Sequence, residues 1–332
     1  MGNSASGDNK EFGKKTSSDE IAEKFGENAS GKFVIITGGN SGLGMDCARI
    51  LALKGSNVII ACRSEQKGAE AVSELKKLQP DGSIEFMKLD LGSFSSIRKF
   101  AADYKESKKP LHILLNNAGV MACPLTLTAE GLEMQFGTNH IGHFLLTNEL
   151  MDVIKSSGTH EKPSRIINLS SVGQYYFAPS MGVRLDDLKA ESSYDIWERY
   201  GSSKLANILF TKHLQKKFTA EKAAVVAVSV HPGVISETNL ARYLDLPSVI
   251  NITSKIAPLG LGAMYSFFLG DTKNIKQGAA TSVYCALCPE VASQSGAHFA
   301  DCAVDTVFLH PKALDAELAE ALWKASEKIV AK

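Results

Sequence analysis

The sequence predicts an α/β fold: one doubly wound domain whose parallel sheet is flanked by helices. Three observations carry this. Strand-length apolar runs recur at residues 33–36, 57–61, 84–89, 111–115, 165–169 and 224–230, and several are apolar throughout, as in strands covered on both faces. Helical periods fill the intervals at 45–53, 66–78, 93–104, 131–154 and 197–218, which is the rhythm of βαβ units. No repeat or linker follows Gly31, so the 332 residues hold one large domain rather than two.

The segments around that body read differently. Residues 1–30 are rich in Gly, Ser, Asn, Lys and Glu, and such a composition predicts a disordered tail. The body is expected over 31–311. In 312–332, apolar residues at helical spacing (Leu318, Leu322, Ile329) predict an amphipathic helix over 315–330 packed on the body.

Composition excludes several functions. The 36 basic and 36 acidic side chains cancel, leaving no global field for nucleic acid. The 44% hydrophobic content rules out wholesale disorder. Six cysteines in so long a chain make no disulfide scaffold and read as reduced thiols. No secretory apolar region opens the chain, and the best membrane candidate, 256–269, is short of ~20 residues and contains a Pro and two Gly. A cytoplasmic location is expected.

The first run ends in Thr37-Gly38-Gly39-Asn40-Ser41-Gly42-Leu43-Gly44 and passes into a helical period. Glycines in such a turn admit positive φ and let a pyrophosphate approach the backbone, while the helix N-terminus offers free N–H groups. The Gly38-x3-Gly42-x-Gly44 spacing differs from GxGxxG and lacks the Gly-Lys-Ser/Thr ending of a P-loop. After the first strand of a βαβ series it predicts nucleotide binding on a Rossmann-type domain. The second strand ends at Arg63, where an acid would bond a ribose 2′-hydroxyl and a basic fork suits a 2′-phosphate; NADP is therefore favoured over NAD.

Tyr200 and Lys204 stand at i and i+4, on one helix face. An ammonium nearby lowers a phenol from its ordinary ~10, so Tyr200 becomes a usable acid/base. That pair alone is a weak signal, but it has company. Asn116-Asn117-Ala118-Gly119 follows the fourth run, Asn139 stands in Gly137-Thr138-Asn139-His140, Ser171 ends Asn168-Leu169-Ser170-Ser171, and Pro232-Gly233 follows the sixth run. With the glycine turn, this ordered set resembles the short-chain dehydrogenase/reductase family from Gly31 to about His310. Ala61-Cys62-Arg63-Ser64, Ser203-Lys204-Leu205-Ala206-Asn207 and His231-Pro232-Gly233-Val234 are similar to the retinol dehydrogenase and WW-domain oxidoreductase branch, without a WW sequence.

The resemblance implies roles. Tyr200 would give or take the proton, and Ser171 would hold the substrate oxygen, with Ser170 the rival hydroxyl. Lys204 would hold the nicotinamide ribose and depress the Tyr200 pKa, and Asn139 would anchor a relay water. Gly38, Asn40, Ser41, Gly42, Leu43 and Gly44 would cradle the NADP pyrophosphate. Asp90 and Leu91 would meet the adenine, Asn117, Ala118 and Gly119 would line the cleft, and Pro232, Gly233 and Thr238 would meet the nicotinamide side. The expected activity is NADP(H)-dependent interconversion of a lipophilic carbonyl and its alcohol, in the retinoid, steroid or lipid aldehyde class. The alternative is a catalytically weak NADP-binding scaffold or redox sensor at a membrane surface.

Remaining signals are smaller. The insert 173–198, with Tyr175, Tyr176, Phe177 and Leu185, is expected beside the substrate cleft. The apolar series after Gly233 (among them Leu240, Tyr243, Ile252, Ile256, Met264 and Phe267) suits a lipophilic substrate. Met1-Gly2-Asn3-Ser4-Ala5-Ser6 fits the N-myristoylation pattern, so in a eukaryote Gly2 would be acylated and give peripheral membrane contact. Cys285-x-x-Cys288 reads as buried thiols, and no metal site is expected.

Overall fold

In the computed structural model, residues 11–331 are described apart from 81, 236, 239, 241, 244–251, 254–255 and 257–271. Strands β1 (Phe33–Thr37), β2 (Asn57–Cys62), β3 (Ile84–Lys88), β4 (Ile113–Asn116), β5 (Ser164–Leu169), β6 (Val225–His231), β7 (His298–Ala300) and β8 (Ala303–Val304) form one sheet in the order β3-β2-β1-β4-β5-β6-β7-β8. All neighbours pair in parallel except β7 and β8. Alternate residues serve opposite faces: Ile35, Ile59, Leu114 and Ile166 join one core, and Val34, Ile36, Val58, Ile60 and Ile167 join the other. Burial on both faces is why these strands read as continuous apolar runs.

The tail departs from expectation. Residues 17–30 are ordered, contrary to the expected disorder of that stretch. Helix α1 (Ser18–Phe25) begins with a Ser17–Glu20 capping box, and Ile21, Ala22 and Ala29 are buried. The Ser18 hydroxyl donates to Asp46 at 2.5 Å, and Phe25 stacks edge-on with Tyr284, ring centres 6.0 Å apart. The polar composition of the segment conceals one apolar face, which packs on α2 (Gly42–Leu53) and on the helix that carries Tyr284. Gly2 lies outside the described residues.

A second departure lies in 131–154, expected as one helix. The chain forms a short α-turn (Met134–Phe136), a π-helical stretch (Gly137–Gly142), then two short helices (His143–Glu149 and Met151–Ser157). A Cβ at Gly142 would lie 2.4 Å from the Leu91 carbonyl, so the π stretch is pressed against the loop after β3. Such bulges loosen the i→i−4 ladder and free carbonyls for other partners.

The long helix Ile196–Glu221 carries Tyr200 and Lys204 and covers the sheet beside β5 and β6. The C-terminal helix Ala316–Val330 packs on it. Its Trp323 stacks on His213 at 4.5 Å, and its Ser326 hydroxyl lies 3.0 Å from His140 Nε2. All six cysteines are buried and free. Among the described residues, no His/Cys/Asp/Glu group could hold a metal ion, and no helix is long and apolar enough to cross a membrane.

Candidate active site

The strand order reverses at β1, with β2 on one side and β4 on the other. Connections leaving β1 and β4 diverge, which opens a crevice at the carboxyl ends of these strands. The glycine turn forms one wall. Gly38 (φ +65°) and Gly42 (φ +53°) take the left-handed conformation. A Cβ at Gly44 would lie 2.5 Å from the Gly38 carbonyl, so only glycine lets α2 sit this close to the turn. Ser41 is the N-cap of α2 and its side chain makes no capping hydrogen bond, so it does not occupy the positive helix end beside the turn. Thr238 arches over the turn, its methyl 3.5 Å from where a Gly42 Cβ would stand. These features fit a dinucleotide pyrophosphate.

Not every predicted residue faces the crevice with its side chain. Leu43 turns onto Gly278 instead. Leu91 is buried against Gly142, while Asp90 stays half-buried and accepts from the Gly92 N–H at 2.9 Å. The Asn117 amide donates back to the Thr37 carbonyl at 2.8 Å, so this side chain ties the segment to β1. Asn40 is half-buried in the turn. Arg63 is exposed between β2 and a helix capped by Ser64. Glu65, two residues on, pairs with Lys88 at 2.8 Å, so the nearby acid is engaged elsewhere.

Across the crevice stand Tyr200 and Lys204, each 3% exposed. The structure separates the serine pair. The Ser170 hydroxyl is buried and donates to the Lys204 carbonyl at 2.8 Å, whereas Ser171 Oγ accepts from the Gly173 N–H at 3.1 Å and acts electrostatically on the Tyr200 phenol. Burial pushes Tyr200 up to about 12, and the Ser171 hydroxyl pulls the other way. The lowering expected from Lys204 is not among the causes of the Tyr200 shift, and burial pushes Lys204 itself down to about 8. Lys204 Nζ donates to the Leu169 carbonyl at 3.1 Å and stands beside Gly119, where a Cβ would be 3.4 Å away. Asn139 grips Val120 through both amide atoms (2.8 and 2.9 Å) and donates to Ser203 at 3.0 Å.

After β6, Pro232 is buried and Gly233 takes φ +96°, with a would-be Cβ 2.7 Å from the buried Lys273 stem. His231 Nδ1 accepts from the Val172 N–H at 3.1 Å and so ties this turn to the Ser171 loop. Burial drives His231 down to about 3, keeping it a neutral acceptor. Around Tyr200 lies an apolar cluster of Ala122, Phe177, Trp197, Ile252 and Ile256. The insert 173–198 thus contributes Phe177 and Trp197, and it is pinned by a buried Arg199–Asp187 pair at 2.7 Å. Of the apolar series after Gly233, Leu240, Tyr243, Ile252 and Ile256 are described; Met264, Phe267 and their neighbours lie outside the described residues. The Thr37 hydroxyl and His143 also belong to the site; Thr37 opens the glycine turn, while the one signal for His143 in the sequence is its place at i+4 from Asn139.

Comparison with known proteins gives the class. The short chain dehydrogenase family profile matches residues 32–183. A Brassica napus protein, short-chain dehydrogenase TIC 32 A, chloroplastic, is 42% identical over 297 residues, covering 89% of this chain and 88% of its own. Mouse retinol dehydrogenase 12 is 39% identical over 297 residues, covering 89% and 85%. A solved structure of an uncharacterized protein from Mycobacterium paratuberculosis aligns with a TM-score of 0.66 at 32% identity, over 91% of this chain and 94% of that one. The Pseudomonas aeruginosa RhlG/NADP complex shares the fold, with a TM-score of 0.61 at 22% identity, over 83% and 96%. The chain belongs to the short-chain dehydrogenase/reductase family. Within it, the chain is of the retinol dehydrogenase-like branch, an oxidoreductase of CH–OH groups with a nicotinamide cofactor.

Proposed function

We propose that the protein interconverts a lipophilic aldehyde or ketone and its alcohol with NADP(H), using Tyr200 as acid/base. The observation that carries this is the Tyr200 phenol itself: buried, lowered by the Ser171 hydroxyl against the effect of burial, on one helix with Lys204, and set against apolar side chains. When bound, the nicotinamide supplies or accepts the hydride. Burial keeps Tyr200 protonated at neutral pH, which suits proton donation to a carbonyl oxygen. Ser171 holds that oxygen and stabilises charge developing on it. Lys204, one hydrogen bond to Leu169 apart, has donor capacity for ribose hydroxyls. Arg63 offers its fork to a 2′-phosphate. The apolar cluster excludes water and suits a retinoid, steroid or lipid aldehyde. Acylation at Gly2 would hold the enzyme at the surface where such substrates partition.

The test is an NADPH-oxidation screen against retinal, medium and long aldehydes, steroids and quinones. Turnover of a lipophilic carbonyl, with NADPH preferred over NADH, is expected. NADPH binding without turnover of any of them would favour the scaffold reading instead.

A further inference from the structure

The segment 117–120 is held from both sides. On one side, Thr37 Oγ1 accepts the Asn117 and Ala118 N–H groups, each at 2.9 Å. On the other, Asn139 grips Val120. His143 joins the two holders: its Nε2 lies 2.9 Å from Thr37 Oγ1 and its Nδ1 3.0 Å from the Asn139 carbonyl. The result is a closed ring of hydrogen bonds, in which His143 is buried with 1% exposure.

Donor and acceptor counting fixes the protons. The Asn139 carbonyl can only accept, so Nδ1 carries the imidazole proton and Nε2 is the acceptor. Thr37 Oγ1 spends both lone pairs on backbone N–H groups, leaving its proton for Nε2; the rival acceptor, the Leu115 carbonyl, is farther at 3.4 Å. The π-helical stretch is what puts the Asn139 carbonyl within reach.

We propose that His143 is a positioning residue for the reaction: as the neutral Nδ1–H imidazole it locks the Thr37 hydroxyl of the glycine turn to the Asn139 carbonyl, and so sets where 117–120 lies between them. Ala118 packs on Gly38, a Cβ there being 3.1 Å from the Ala118 Cα, and Gly119 packs beside Lys204 Nζ. A shift of this segment therefore moves both the cofactor turn and the buried amine. The role rests on reading the crevice as a dinucleotide site; the proton arrangement does not.

Two measurements test it. In cofactor-free protein, long-range 1H–15N correlation should show His143 as the Nδ1–H tautomer, unchanged between about pH 5 and 8, since burial pushes it down to about 4. An Nε2–H tautomer, or titration near the ordinary ~6.5, overturns the proposal. Next comes a cycle of Thr37→Val, His143→Phe and the double variant, read as the NADPH dissociation constant by fluorescence. His143→Phe should weaken NADPH by about tenfold, and the double variant should bind like Thr37→Val alone, because both changes break one link. Losses that multiply independently overturn the coupling. His143→Asn, which keeps a donor near Nδ1 but no acceptor at Nε2, should weaken NADPH like His143→Phe, whereas Thr37→Ser should restore binding. Should His143→Phe fail to fold, the Asn and Ser variants and the tautomer still decide. If wild type binds no NADPH, the cofactor reading fails while the tautomer result stands on its own.

Discussion

Gly44→Ala isolates the fit between the glycine turn and its helix. The new Cβ would lie 2.5 Å from the Gly38 carbonyl oxygen and 2.6 Å from Asn117 Nδ2. An ordinary C–O approach is about 3.3 Å, so something must move by roughly 0.8 Å. Neither neighbour yields easily: one is backbone, and the other is fixed by its 2.8 Å bond to the Thr37 carbonyl. Alanine favours a helix over glycine by about 1 kcal/mol, while overpacking against fixed atoms costs about 1–3 kcal/mol. The net cost is about 0–2 kcal/mol, and an unfolding entropy of ~0.7 kcal/mol/K for 332 residues converts this to a Tm drop of up to about 3 °C. A displacement of this size between turn and helix N-terminus should also weaken NADPH about tenfold or more. Scanning calorimetry and fluorescence titration read the two effects. Gly13→Ala is the control, since nothing lies within 4 Å of its would-be Cβ. If Gly44→Ala melts at or above wild type and binds NADPH equally well, the steric argument is refuted.

Other predictions follow from single contacts. Ser171→Ala should cut turnover about a hundredfold with little change in Tm, while Ser170→Ala should mainly lower Tm, because Ser170 bonds the Lys204 carbonyl rather than Tyr200; equal kinetic effects would merge the two hydroxyls. Arg63→Asp should weaken NADPH by about ten- to a hundredfold and leave NADH binding nearly unchanged in isothermal titration; parallel losses would remove the 2′-phosphate role. Lys204 titrates near 10.5 when unfolded and about 8 when folded, so between these values the unfolded chain binds more protons and stability rises with pH. Lys204→Met should abolish that rise between about pH 8 and 10 in thermal melts, and a slope that persists in the variant assigns it to other groups. Labelling with a myristate analogue in eukaryotic cells should mark wild type and spare Gly2→Ala; labelling of both would place the lipid elsewhere.

Legibility in the sequence tracked how physics is written along the chain. Strands β1, β2, β4, β5 and β6 were readable because burial on both faces makes unbroken β-branched runs. Helix α1 was not, because Ile21, Ala22 and Phe25 are too few to stand out in a polar tail, yet they suffice once α2 offers Asp46 to Ser18. The break in 131–154 was hidden because Gly137 and Gly142 act through approaches to Thr128 and Leu91, which no helical period encodes. In the site, the side-chain types at Tyr200, Lys204, Ser171 and Asn139 were legible as motifs. Their energetics were not: the opposite shifts of Tyr200 and Lys204 come from burial, which no local spacing encodes. The ring through His143 closes only in three dimensions, since Thr37 and His143 lie 106 residues apart.

The central claim is that Tyr200 carries the proton in an NADP(H)-dependent reaction. The most direct measurement is stopped-flow NADPH oxidation by wild type and Tyr200→Phe with one lipophilic aldehyde, alongside NADPH binding by both. The account predicts that Tyr200→Phe binds NADPH within about threefold of wild type while the hydride-transfer rate falls at least about a hundredfold. Undiminished hydride transfer in Tyr200→Phe would contradict it.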